Sequence, residues 1–181
     1  MLNAETGQEV GTFNSSNMEL TLPAGLYEVK FGAASWKGIE VRPGETTTIE
    51  PGVLKVEASV FVHATVVDSE TGEEYGSFDN VSTSVTLMPG VYDLRFAETE
   101  WRFIKVDGGK TTTLRPVAVI LADGLKWQEA RVTTQDGTEV ARFDAVTWKV
   151  ALPPGDYIVE VDGNKLPFPA TEGEVFEVKA Q

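Results

Sequence analysis

The sequence matches itself at a spacing of 65 residues, the interval from Gly7 to Gly72 and from Gly72 to Gly137. The stretches LPAGLYEVKF, LMPGVYDLRF and LPPGDYIVEV, starting at Leu22, Leu87 and Leu152, are near-copies in that register. Glu9, Glu74 and Glu139 keep step, as do Phe13, Phe78 and Phe143, and Tyr27, Tyr92 and Tyr157. Trp36 and Trp101 match, with Leu166 in third place. One residue is then lost, after which Gly44 and Gly109 meet Gly173. So sustained a register marks a tandem array of small units that bury surface against their neighbours. The copies run 1–51, 52–116 and 117–181.

Copies two and three each carry an apolar segment before their first recurring glycine, SVFVHATVVD at 59–68 and GLKWQEARVT at 124–133. Copy one has only Leu2, in step with Val67, so it lacks its leading strand. The expectation is that the sequence is a piece of a longer protein, with Met1 foreign to the repeat.

Each copy reads as β. In copy two Val85 and Leu87 alternate inward, then Tyr92, Leu94 and Phe96, then Ile104 and Val106, and Leu114 closes a Thr-rich run. The runs are short and bounded by Gly, Pro, Asp or Asn, and no window has apolar residues at helical spacing with a cap. The predicted fold is all-β: three tandem antiparallel β-sandwich-like units of the prealbumin or immunoglobulin kind, with almost no helix. Pro89-Gly90 and Pro154-Gly155 read as type II turns with φ > 0 at the glycine, each closing a hairpin. Turns ending at Gly7, Gly72 and Gly137 close a second hairpin, and turns at Gly44, Gly109 and Gly173 lead into the last strand. The links IEPGVLKVEAS and LRPVAVILADG are short and apolar, which predicts burial of Val53, Leu54, Val56, Val117, Val119 and Leu121 and a stiff rod.

The L-x-P-G-x-Y motif, followed by VRPGETTTI and VDGGKTTTL, resembles bacterial surface β-sandwich modules of the PEGA, carboxypeptidase-regulatory-like and Cna-B types. Similar repeats occur beside von Willebrand factor A-type domains. The resemblance implies a stalk, spacer or binding platform in a bacterial cell-envelope protein, extracellular or periplasmic. Cna-B-type domains often carry a Lys-to-Asn or Lys-to-Asp isopeptide staple. Lys55 stands on a plausible strand, but Ile120 replaces it in copy three, and no lysine recurs with Glu9, Glu74 and Glu139. That feature does not carry over.

Charge narrows the function further. A net charge of −13 disfavours nucleic acid and anionic membrane surfaces, which need clustered Lys and Arg. The chain has no cysteine, which removes disulfides, thiolate metal sites and cysteine nucleophiles. No apolar run reaches the ~18 residues of a membrane span, so no membrane insertion is expected. His63, the one histidine, has no nucleophile positioned for a dyad and reads as a solvent-facing strand residue opposite Val62. Every glycine is explained by a turn, and nothing raises the pKa of a carboxyl group for acid catalysis. No enzyme and no cofactor are expected.

Two candidate sites remain. Asp68, Glu70, Glu73, Glu74 and Asp79 gather acid in copy two and offer oxygens for calcium, although the spacing matches no EF-hand and a solvated turn explains them as well. Trp127, on a strand made more polar by Glu129 and Arg131, is the candidate for stacking on a ligand, against a packing role between copies. Trp36, Trp101 and Trp148 read as core. The functional expectation is therefore a non-catalytic structural or interaction module of a larger exported protein. The alternative is a carbohydrate- or protein-binding module, with a protein or polysaccharide partner. Part of an enzyme whose active site lies elsewhere comes third.

Overall fold

A computed structural model describes residues 1–14, 16–31, 34–125, 128–144 and 146–179. The described residues form seventeen strands in five small sheets, with one 3-10 turn at Asp123–Leu125 and no α-helix. The strands are β1 (Leu2–Asn3), β2 (Gly25–Phe31), β3 (Ala34–Val41), β4 (Gly52–Val56), β5 (Ala64–Asp68), β6 (Glu74–Phe78), β7 (Ser84–Leu87), β8 (Gly90–Arg95) and β9 (Glu100–Val106). They continue as β10 (Thr111–Leu114), β11 (Val117–Leu121), β12 (Ala130–Thr134), β13 (Glu139–Phe143), β14 (Lys149–Leu152), β15 (Gly155–Val161), β16 (Asn164–Ala170) and β17 (Val175–Val178).

Residues 52–114 pair as β6-β5-β8-β9 and β10-β4-β7, and residues 117–178 as β13-β12-β15-β16 and β17-β11-β14. In both segments the central strand of the smaller sheet runs parallel to one neighbour and antiparallel to the other. Alternation decides what each sheet buries. Leu54, Leu87 and Leu114 of the smaller sheet join Val66, Phe78, Tyr92, Leu94 and Ile104 of the larger one in a single buried cluster. Val119, Leu152 and Val178 likewise join Val132, Phe143, Tyr157 and Phe168. Five of the six linker residues expected inside are buried, and Val53 is half-buried.

The first segment differs. Its strands form one sheet, β1-β2-β3, and residues 10–14, 16–24 and 42–51 belong to no strand. Leu2 and Asn3 pair with Glu28 and Tyr27 in the register that Val67 and Asp68 keep with Asp93 and Tyr92.

The expected Pro-Gly hairpin is corrected in two respects. β7 pairs with β4 and β8 with β5, so Pro89-Gly90 joins two different sheets and closes no hairpin. Gly25, Gly90 and Gly155 are also absent from the residues with positive φ; each is the first residue of its strand. The glycine is needed for another reason. The tyrosine two residues on folds back over it, and a Cβ at Gly155 would lie 3.3 Å from the Tyr157 hydroxyl. At Gly90 the same atom would lie 3.4 Å from the Tyr92 ring and hydroxyl. Positive φ belongs instead to the other expected turns, at Gly7, Gly72 and Gly137 and at Gly44, Gly109 and Gly173.

Candidate functional site

The tyrosine hydroxyls show what the recurring residues do. Tyr27 donates to the Pro23 carbonyl at 2.7 Å, Tyr92 to Met88 at 2.9 Å and Tyr157 to Pro153 at 3.0 Å. Each bond ties the start of one strand to the backbone four residues upstream. Burial beside Tyr75 and Asp68 pushes the Tyr92 hydroxyl up to about 12.

The candidate calcium acids are not brought together. Asp68 Oδ1 accepts from the Glu70 and Thr71 amides and the Thr71 hydroxyl, and Asp79 Oδ1 accepts from Val81 and Ser82. These are Asx turns, and the amide donors hold both carboxyls below the usual range. Asn14 and Asp144 do the same work in their segments, at positions in step with Asp79. Glu73 accepts from the Tyr75 hydroxyl at 3.3 Å, while Glu70 and Glu74 face solvent. Among the described residues no three acid or histidine side chains are grouped to hold a metal ion. The signal for the turns was in the sequence, as Asp followed three residues later by Thr71 or Ser82.

Trp127 lies outside the described residues. Trp36 is buried with no acceptor for its indole N–H among the described residues, and Trp101 is half-buried against the second cluster. Trp148, expected inside, is only half-buried, and the Lys149 ammonium lies over its ring at 4.9 Å. The same ammonium sits 5.5 Å from the ring of Phe61, so it joins two segments. His63 is exposed opposite buried Val62, as the alternation implied. Lys55 pairs with Glu57 on the surface at 2.9 Å.

Two depressions lie at matching ends of the larger sheets. One of about 460 Å³ is lined by Arg95, Phe96, Glu98, Thr99, Glu100 and Arg102. The other, of about 280 Å³, is lined by Glu129, Arg131, Arg142, Glu160 and Asp162 among others. Their arginines are paired: Arg95 and Arg102 both reach Glu100, Arg131 reaches Glu160, and Arg142 reaches Glu139. The Arg102 and Arg95 guanidiniums hold the Glu100 carboxyl below its ordinary range. Wherever a described carboxyl group departs from its ordinary value it is shifted down, which suits ion pairs and turns and not a proton donor.

One residue that the sequence reading passed over stands out. Phe103 is 75% exposed and has φ of 59°, a left-handed conformation that costs a bulky residue energy. It sits at a register shift in the β8–β9 pairing, where Asp93 accepts both its amide (2.9 Å) and the Ser69 hydroxyl (2.6 Å). The in-step residue is Gly38, with φ of 75° at a similar shift between β2 and β3. Between β15 and β16 the pairing is regular. The residue lost from the third copy is thus the bulge residue. Comparison with family models, with curated proteins and with solved structures gives no match for this chain.

Proposed function

We propose that the chain is a tandem array of β-sandwich-like units acting as a non-catalytic stalk or spacer in a larger exported bacterial protein, in the extracellular or periplasmic space. One observation carries the reading. The tyrosine and the glycine that recur in all three segments are consumed inside them, in tyrosine-to-carbonyl bonds and the contact of glycine with a tyrosine ring. A tyrosine hydroxyl tied to a nearby upstream carbonyl is also a known device of β-sandwiches. Recurrence therefore serves the fold, and no polar or aromatic surface set recurs with it.

The junctions support stiffness. Only Arg115 and buried Pro116 separate β10 from β11. Arg115 reaches Glu57 at 3.0 Å, its amide donates to Glu172, and its carbonyl accepts from Gly173. Ala151 packs against the core of the preceding segment. Units of this size are marginal alone, so such contacts stabilise the array.

The test uses the absence of cysteine. Paired spin labels on Glu45→Cys and Gly163→Cys should give one narrow distance distribution, broadened by a Gly-Ser insertion after Arg115. A broad distribution in the uninterrupted chain would refute the stiff spacer. The alternative, a carbohydrate- or protein-binding module, draws on exposed Phe103. It predicts a melting shift with one polysaccharide in a panel, abolished by Phe103→Gly.

A further inference from the structure

β3, β9 and β16 are the end strands of their sheets, and among the described residues no strand pairs with their outer edges. At seven or eight residues they are among the longest strands of the chain. An end strand points half of its amides and carbonyls away from its partner, which invites a strand of another molecule to pair there. In each segment some of these outward groups are removed or already occupied.

In the third segment β15 and β16 pair regularly from Gly155↔Ala170 to Val161↔Asn164, with Pro167 opposite Ile158 and Pro169 opposite Asp156. A proline carries no N–H, so an unbroken ladder requires both nitrogens to face outward. Inward and outward amides alternate along an antiparallel strand, which makes residues 165, 167 and 169 the outward set. Two of these three donors are therefore missing. Both prolines are exposed, while Leu166, Phe168 and Ala170 between and beside them pack on the core.

The second segment reaches the same end differently. Lys105 pairs with Val91 as Pro169 pairs with Asp156, so its amide and carbonyl also point outward. The Thr112 hydroxyl donates to that carbonyl at 2.9 Å. At the bulge the Phe103 amide donates to the Asp93 carboxylate at 2.9 Å, and its φ of 59° interrupts the row of outward groups. The first segment repeats the arrangement, with Thr47 donating to the Glu40 carbonyl at 2.7 Å and Gly38 at the bulge with φ of 75°. The third segment has neither device. Phe176 stands where Thr112 does, and β16 carries no bulge. The two edge prolines occur in the one segment that lacks both.

We infer that the outer edge of the β3, β9 and β16 strands is closed to strand addition in every unit, by a bulge and a threonine cap in the first two and by Pro167 and Pro169 in the third. The partner refused is a second copy of this chain, because two identical edges can pair antiparallel about a two-fold axis. Side-by-side pairing of chains is shut off while the junctions within a chain are untouched. The inference rests on the register of the units and not on the spacer role.

The experiment is sedimentation of the intact 181-residue chain carrying Pro167→Thr and Pro169→Thr, from about 10 µM to about 1 mM, beside backbone amide exchange. The unsubstituted chain and Pro43→Thr, which changes an exposed proline outside the strands, should stay at 19.7 kDa. The double variant should rise toward twice that mass. The amides newly supplied at positions 167 and 169 should exchange about 10-fold more slowly at ~10 times the dissociation constant. Deleting Phe103 together with Thr112→Val should open the second segment in the same way. Adding Arg102→Pro and Lys105→Pro in that background should return the chain to 19.7 kDa. A double variant that stays monomeric with β12 still slow to exchange overturns the inference. So does loss of protection in β12, which would mean that the prolines serve the fold and not the edge. A dimer without slowing at 167 and 169 overturns it too, as does an unsubstituted chain that already dimerises through β9 or β16. A broad spin-label distribution, which refutes the stiff spacer, changes none of these outcomes.

Discussion

Removing the Tyr157 hydroxyl probes the element that recurs most faithfully. In Tyr157→Phe the ring stays and the bond to the Pro153 carbonyl is lost. Pro153 is buried, so its carbonyl keeps no water in exchange, and an orphaned buried acceptor costs about 1–3 kcal/mol. If the third segment melts as its own unit, each kcal/mol moves its midpoint by about 4–8 °C; if the whole chain melts together, by about half that. Urea unfolding gives the free energy and calorimetry the midpoint, so their ratio also reports the size of the cooperative unit. The glycine adds an internal control. Gly155→Ala brings a methyl to 3.3 Å from the hydroxyl, which Tyr157→Phe deletes. The alanine should therefore cost less in the phenylalanine background, with a coupling of about 0.5 kcal/mol or more. If Gly155 were needed for a left-handed turn, alanine would cost the same in both. A Tyr157→Phe loss under about 0.5 kcal/mol, or zero coupling, refutes the reasoning.

Acid should unfold the chain through its turns. The Asp79 and Asp144 carboxyls lie below their ordinary value of 3.8 in the folded state because turn amides donate to them. The stability they confer is present above that value and is lost as pH falls through the lower folded pKa. Urea midpoints across pH 2–6 should fall less steeply in Asp79→Asn and Asp144→Asn, which keep the turn as Asn14 does. At the other extreme the raised Tyr92 value predicts stability present below about 10 and lost as pH rises toward about 12, with late tyrosinate absorbance that Tyr92→Phe removes. Deleting Phe103 should cost about 1–2 kcal/mol at most, because it converts the β8–β9 bulge into the regular pairing of β15 and β16. Deleting Lys105 instead should unfold the segment, since it turns buried Val106 outward.

What the sequence disclosed and what it withheld divide along physical lines. Alternation placed Leu87, Tyr92, Leu94, Ile104 and Leu114 inside, because a half-buried strand needs one apolar face whatever its partners are. Turn glycines at Gly72 and Gly109 were equally legible, since a left-handed φ is a local demand. Gly90 was misread because its requirement is not local to the turn: the side chain that excludes a Cβ comes from the strand that follows. The sheet to which β8 belongs is likewise set by its pairing with β5, more than twenty residues earlier, which a Pro-Gly pair cannot signal. The acids at Asp68 and Asp79 suggested a metal because composition records charge and not the amides already donating to it.

The lost residue in the third copy shows how far the units are free to differ. With the bulge gone, Leu166 faces Val159 where Trp101 faces Leu94, which removes volume from one layer of the core. Phe168 faces Tyr157 where Ile104 faces Tyr92, which returns volume in the next layer. Phe168 fills that space by stacking on Phe176 at 4.2 Å and leaning on Tyr157 at 5.7 Å. Close packing tolerates such a swap only when the total is kept, so the bulge and the tryptophan come and go together. The bulge itself displays one extra side chain on the outer face without disturbing the inward alternation. Glycine fills it in the first segment and exposed Phe103 in the second, and the third has none. The core constrains the recurring tyrosines and inward aliphatic positions, whereas the bulge position is bound only by its backbone angle. It is there that a surface function specific to one unit has room to arise.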